Sequence, residues 1–134
     1  MEIFANGVRI RLEPLDVVTD EDWVRVNVDV SDSGFTASFV AWLQSQDVER
    51  FATDLASLHA NLGLPGKAIL QCHEPGIYLE LHSDTAGHID GRYEFTNETA
   101  AGFSPSLCGK IDMDQSFLPI WEKACRQFIV AVRR

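Results

Sequence analysis

The sequence is short of cysteine, of basic residues and of long apolar runs, and each shortage removes a class of protein. Its three cysteines, Cys72, Cys108 and Cys125, stand too far apart for a C-x-x-C metal or redox motif. Their odd count leaves at least one thiol unpaired, which points to a reducing compartment. The opening Met1-Glu2-Ile3-Phe4 has no cationic stretch followed by an apolar one, and apolar runs elsewhere extend only a few residues. Neither a secretory leader nor a membrane span is therefore expected, and the protein reads as cytoplasmic. Bases are scarce: 11 Lys and Arg face 20 Asp and Glu, a formal net charge of −9. That balance argues against direct nucleic-acid binding, because phosphate contact needs a cationic face. A bound cation or a basic partner protein stays open.

What is present describes one globular domain spanning 1–134. With 134 residues, 46% apolar and 23% charged, the chain can bury roughly two thirds of its unfolded surface without disulfides or a structural metal. Val8, Ile10 and Leu12 alternate with polar neighbours, as do Val24, Val26, Val28 and Val30; period two predicts strands with one wet face. A third run, Phe35 to Leu43, alternates with Phe35, Ala37 and Phe39 inward, then turns apolar on both sides at Val40-Ala41-Trp42-Leu43, as expected of a central or covered strand. Asp32-Ser33-Gly34 predicts a tight hairpin between the second and third runs.

Between Asp47 and Leu62 the spacing shifts to three and four, with Val48, Phe51, Ala52, Leu55, Leu58 and Leu62 on one stripe. This is an amphipathic helix stopped by Gly63 and Pro65. Period two returns in Ala68–His73, Ile77–His82, His88–Thr96 and Leu107–Met113, and a second helix opens near Ser116 with Trp121, Ala124, Cys125, Phe128 and Val132 aligned. The predicted fold is α+β, a mostly antiparallel sheet of about seven strands in the order βββαββββα, with both helices on one face.

Two groups carry candidate chemistry. His82 and His88 flank a five-residue turn, and Glu80 and Asp90 fall on the same strand face. With His73 as a further nitrogen ligand they could hold a divalent transition metal, the alternative being solvated polar residues on the wet side of a sheet. No H-E-x-x-H, G-x-S-x-G, Walker or dinucleotide motif accompanies them. Cys72 and His73 point to opposite strand faces and cannot share a proton, so Cys72, Cys108 and Cys125 read as small core residues. Trp121 and Trp42 also read as core. Trp23, straight after Asp20-Glu21-Asp22, is placed to be half exposed and to act as an anchor.

Charge is unevenly spread. Residues 1–66 hold 11 acids and 4 bases, a net of −7, against −2 for the remainder. Asp16, Asp20, Glu21 and Asp22 concentrate this excess in one loop. Such a patch steers a basic partner, or else only solubilises the surface.

The order of landmarks resembles the WapI-type immunity proteins. The likeness runs through Gly7-Val8-Arg9-Ile10-Arg11-Leu12, Trp23-Val24-Arg25-Val26-Asn27-Val28, Gly34-Phe35 and the helix Asp47-Val48-Glu49-Arg50-Phe51-Ala52-Thr53-Asp54-Leu55. Ile77-Tyr78-Leu79-Glu80-Leu81 and Phe117-Leu118 extend it. The resemblance implies a single-domain cytoplasmic protein that neutralises the toxic domain of a polymorphic or contact-dependent toxin, often a nuclease, and it supplies no catalytic residues. The combined expectation is a non-enzymatic, cofactor-free binding protein whose partner is basic, contacted through Asp16, Asp20, Glu21, Asp22 and Trp23. The alternatives are a metal module on His82, His88, Glu80 and Asp90, or an accessory subunit that pairs with itself as a homodimer.

Overall fold

A computed structural model describes residues 1–72, 74 and 76–134. Four strands, β1 (Glu2–Ala5), β2 (Val8–Pro14), β3 (Trp23–Asp32) and β4 (Phe35–Gln44), lead into helix α1 (Ser45–Ala60). Four more, β5 (Gly66–Gln71), β6 (Ile77–Ser83), β7 (Ile89–Thr96) and β8 (Ser106–Met113), lead into α2 (Phe117–Val132). Each half is thus a four-strand antiparallel meander closed by one helix of 16 residues.

The α+β class stands, but the single seven-stranded sheet does not. Eight strands form two sheets, β1-β2-β3-β4 and β5-β6-β7-β8. The extra strand is β1, whose Ile3 and Ala5 are buried and which returns to β2 through Asn6-Gly7. Both turn residues have left-handed backbone, φ 46° and 91°. That is the two-residue hairpin geometry Asn-Gly favours, because it matches strand twist. Helix α1 lies between β4 and β5 in the chain, and each meander completes its hydrogen bonding within its own sheet.

The two sheets share one core. Val24, Val26 and Val28 from the first and Leu70, Leu79 and Leu81 from the second belong to a single buried cluster with Phe51, Leu55, Trp121 and Phe128 of the helices. The helices pack on each other within it, α1 also on β5 and α2 on β1. Polar bonds join the halves: the Tyr93 hydroxyl donates to the Asp32 carboxylate at 2.5 Å, and Asn6 donates to the Asp112 carbonyl. Burial, then Asp32, pushes the Tyr93 phenol up, so it remains a donor at neutral pH.

The third run departs from its expectation. β4 keeps the predicted phase, with Ala41 and Leu43 buried, and pairs with β3 from Asp32↔Phe35 to Trp23↔Gln44. It is nevertheless an edge strand: Val40 and Trp42 take the outward positions beside buried Ala41 and Leu43 and are 50% and 45% exposed, and Phe35, expected inward, is 70% exposed at the strand's start. Trp42 is therefore not a core residue. Cys108, expected inside, also lies exposed on β8, whereas Cys72 and Cys125 are buried.

Candidate functional site

The loop between β2 and β3 carries the acidic run, and it is held at several points. Leu15 N–H donates to the Arg25 carbonyl (2.9 Å), Val18 N–H to the Val132 carbonyl at the end of α2 (2.9 Å), and Thr19 N–H to the Trp23 carbonyl (2.8 Å). The Thr19 hydroxyl accepts from Trp23 N–H at 3.1 Å, and Gln44 Nε2 donates to the Glu21 carbonyl at 3.1 Å. A loop so tied meets a partner with little left to order.

The four acids divide into two kinds. Asp22 is a structural cap: its backbone is left-handed at φ 67°, and its carboxylate accepts from the Ser45 hydroxyl and from Gln46 N–H at 2.9 Å, at the start of α1. A carboxylate there satisfies orphan helix donors and complements the dipole. The Ser45 hydroxyl also accepts from Arg133 Nε at 2.8 Å, and Arg133 reaches Glu49 at 2.5 Å, so the cap extends to the end of α2. Asp16 pairs with Arg25 at 3.4 Å. Asp20 and Glu21 remain, and among the described residues neither side chain has a hydrogen-bond or ion-pair partner.

These two acids line an open cleft of about 570 Å³ with Thr19, Trp23, Trp42 and Glu74. Trp23 and Trp42 come from adjacent strands of the first sheet: Trp42 is paired with Arg25, two residues along from Trp23, so the indoles are diagonal neighbours on its outer face. Glu74, beyond the end of β5, adds a third carboxylate without a partner among the described residues. The result is an indole floor with an anionic rim. Trp42 and Glu74 are missing from the sequence expectation because each lies far along the chain, and an edge strand reads like a core strand when its apolar residues occupy both faces.

A second cleft, about 680 Å³, runs between α1 and β5 and includes Asp47, Arg50 and Cys72. Its one cation, Arg50, is already engaged within the cleft. Asp47 pairs with Arg50 and accepts from Gln44 N–H at 3.3 Å. Burial, reinforced by Asp47, pushes the Cys72 thiol up to about 12, which keeps it protonated and inert.

The histidine group shares a face as expected but is engaged in separate pairs. Glu80 accepts from the Tyr78 hydroxyl (2.9 Å) and Arg92 Nε (3.0 Å) and lies 3.1 Å from His82 Nε2. The Tyr78 bond, assisted by Arg92, holds the Glu80 carboxyl below its usual range although burial acts against it. Arg92 also stacks over Tyr78, 5.0 Å from the ring centre. His88 pairs instead with Asp112 at 2.6 Å, and Asp90 lies opposite His82 in the strand register. His73 lies outside the described residues. Among those described, no group of three or more His, Cys, Asp and Glu is arranged to hold a metal ion.

The fold is therefore α+β, two helix-closed meanders bearing an open, acid-rimmed indole cleft. The chain belongs to the immunity protein WapI-like family, whose model matches residues 3–132. A search of curated proteins finds no match. No described helix is long and apolar enough to cross a membrane.

Proposed function

We propose that this protein is a non-enzymatic immunity protein that acts in the cytoplasm by binding the toxic domain of a bacterial toxin, of nuclease type, through the face around Asp20, Glu21 and Trp23. The observation that carries the reading is the set of uncompensated carboxylates beside exposed indole, in a chain of an immunity family. A nuclease that grips RNA or DNA has a basic cleft, and an anionic protein surface competes for it in place of phosphate. Like charge on the loop from Asp22 adds long-range steering, while Asp16 is offset by Arg25. A central indole ringed by polar groups is the usual form of an interface anchor.

Co-expression with any toxin genes that neighbour its own gene tests this. Cells carrying the native protein should survive a toxin that kills them otherwise, and Asp20→Ser combined with Glu21→Ser should lose that protection. The double variant should remain folded, its stability within about 0.5 kcal/mol of native, as for exposed surface positions. If no neighbouring toxin is bound or neutralised, or if the double variant protects as well as the native chain, the reading fails.

A further inference from the structure

We infer that the Trp23–Trp42 cleft is a socket for one arginine side chain of the partner protein, stacked on indole and clamped by Asp20, Glu21 and Glu74. The inference rests on the protein-binding reading above and names the chemistry of the group received.

Each half of the cleft alone would suit many occupants. An indole floor accepts any apolar group, and a carboxylate rim accepts any cation. Both together select a group that is planar, cationic and weakly hydrated, and among protein side chains that is guanidinium. It lies flat on indole by cation–π attraction while its edge donates paired hydrogen bonds to carboxylates. A lysine ammonium is compact and strongly hydrated, so it would forfeit more on entering and stack less well.

The chain's own cation nearest in register does not fill this role. Arg25 stands directly opposite Trp42, yet its guanidinium is engaged by Asp16 at 3.4 Å and is absent from the cleft lining. Asp16 thereby compensates the local arginine, while the carboxylates of Asp20, Glu21 and Glu74 have no partner among the described residues. The floor is open as well: Trp42 is 45% exposed. The hydrogen bonds from Thr19 to Trp23 and from Gln44 to Glu21 fix the loop against both strands, so the socket exists before the partner arrives.

The three tryptophans provide the test. Trp121 is buried, with its indole N–H bonded to the Phe4 carbonyl at 3.2 Å, and serves as an internal reference. The intact protein is titrated into the millimolar range with acetyl-Gly-Arg-Gly-amide while its three indole N–H resonances are followed by NMR. The Trp23 and Trp42 signals should shift saturably and the Trp121 signal should stay. The same peptide with citrulline, which keeps the shape and loses the charge, should bind at least about tenfold more weakly, and the lysine peptide should be weaker than arginine.

Trp42→Ala and Glu74→Gln should each weaken arginine binding while the Trp121 resonance, unchanged, reports an intact fold. Three results would overturn the socket: no shift with arginine, equal binding of citrulline, or shifts on concentrating the protein alone, which would place a second copy in the cleft. Arginine binding by a protein that neutralises no toxin would remove the immunity reading and leave the socket. Neutralisation without arginine binding would do the reverse.

Discussion

Four neighbouring acids, alike in sequence, do three different things. Asp22 caps α1 through Ser45 and Gln46 from a left-handed backbone, Asp16 pairs with Arg25, and Asp20 and Glu21 face solvent in the cleft. A shared negative charge was readable in the chain; the division of labour was not, because it depends on where α1 begins relative to a loop more than 20 residues earlier. The roles separate on substitution. Asp22→Ala should cost about 1–2 kcal/mol in denaturant unfolding, the range for losing a helix-capping side chain, because two donors at the start of α1 lose their acceptor. Asp22→Asn should recover part of the loss, since asparagine tolerates the left-handed region and retains an acceptor oxygen. A cost for Asp22→Ala no greater than that for Asp20→Ser would contradict the assignment. Loss of toxin binding in an Asp22 variant would thus report a disturbed helix start rather than a lost contact.

Among the elements, β4 and β7 show where pattern reading succeeds and where it stops. The phase of β4 was legible from Ala41 and Leu43, and its partner from the Asp32-Ser33-Gly34 turn; its edge position was not, because Val40 and Trp42 are as apolar as core residues. β1 escaped the period-two reading because four residues hold only two inward positions, although Asn6-Gly7 was a usable hairpin signal. In the second sheet the paired strands β7 and β8 set Tyr93 against Gly109, and a Cβ at Gly109 would meet the Tyr93 hydroxyl at 2.3 Å and its ring at 2.5 Å. Tyr93 cannot swing aside without giving up its bond to Asp32, which joins the two sheets. Gly109→Ala should therefore lower stability by about 1–3 kcal/mol, as overpacking does elsewhere, with thermal unfolding as the readout. Pairing it with Tyr93→Phe, which removes the hydroxyl, should cost less than the sum of the two single changes; strict additivity would show that Gly109 and the Tyr93 hydroxyl act independently.

At the scale of the whole molecule, two helix-closed meanders share one core and leave their outer faces to solvent. The α+β class and both helices were legible because a 3.6-residue stripe differs sharply from strict alternation. The division into two sheets was not, since period two specifies which face of a strand is buried and says nothing about which strands adjoin. The family resemblance was carried by scaffold segments, and membership over residues 3–132 agrees with it. The net charge of −9 is uneven in the same way: −7 belongs to the first 66 residues, and two of its acids, Asp20 and Glu21, meet Glu74 of the second half at the indole floor. The central claim is that this face binds the toxin. Its most direct test is the affinity for a toxic domain that the protein neutralises in co-expression, measured by calorimetry across a salt series for the native chain and for Asp20→Ser combined with Glu21→Ser. The account predicts that the double variant binds at least about tenfold more weakly and that its affinity falls less steeply with salt. Equal affinity and equal salt dependence would contradict it.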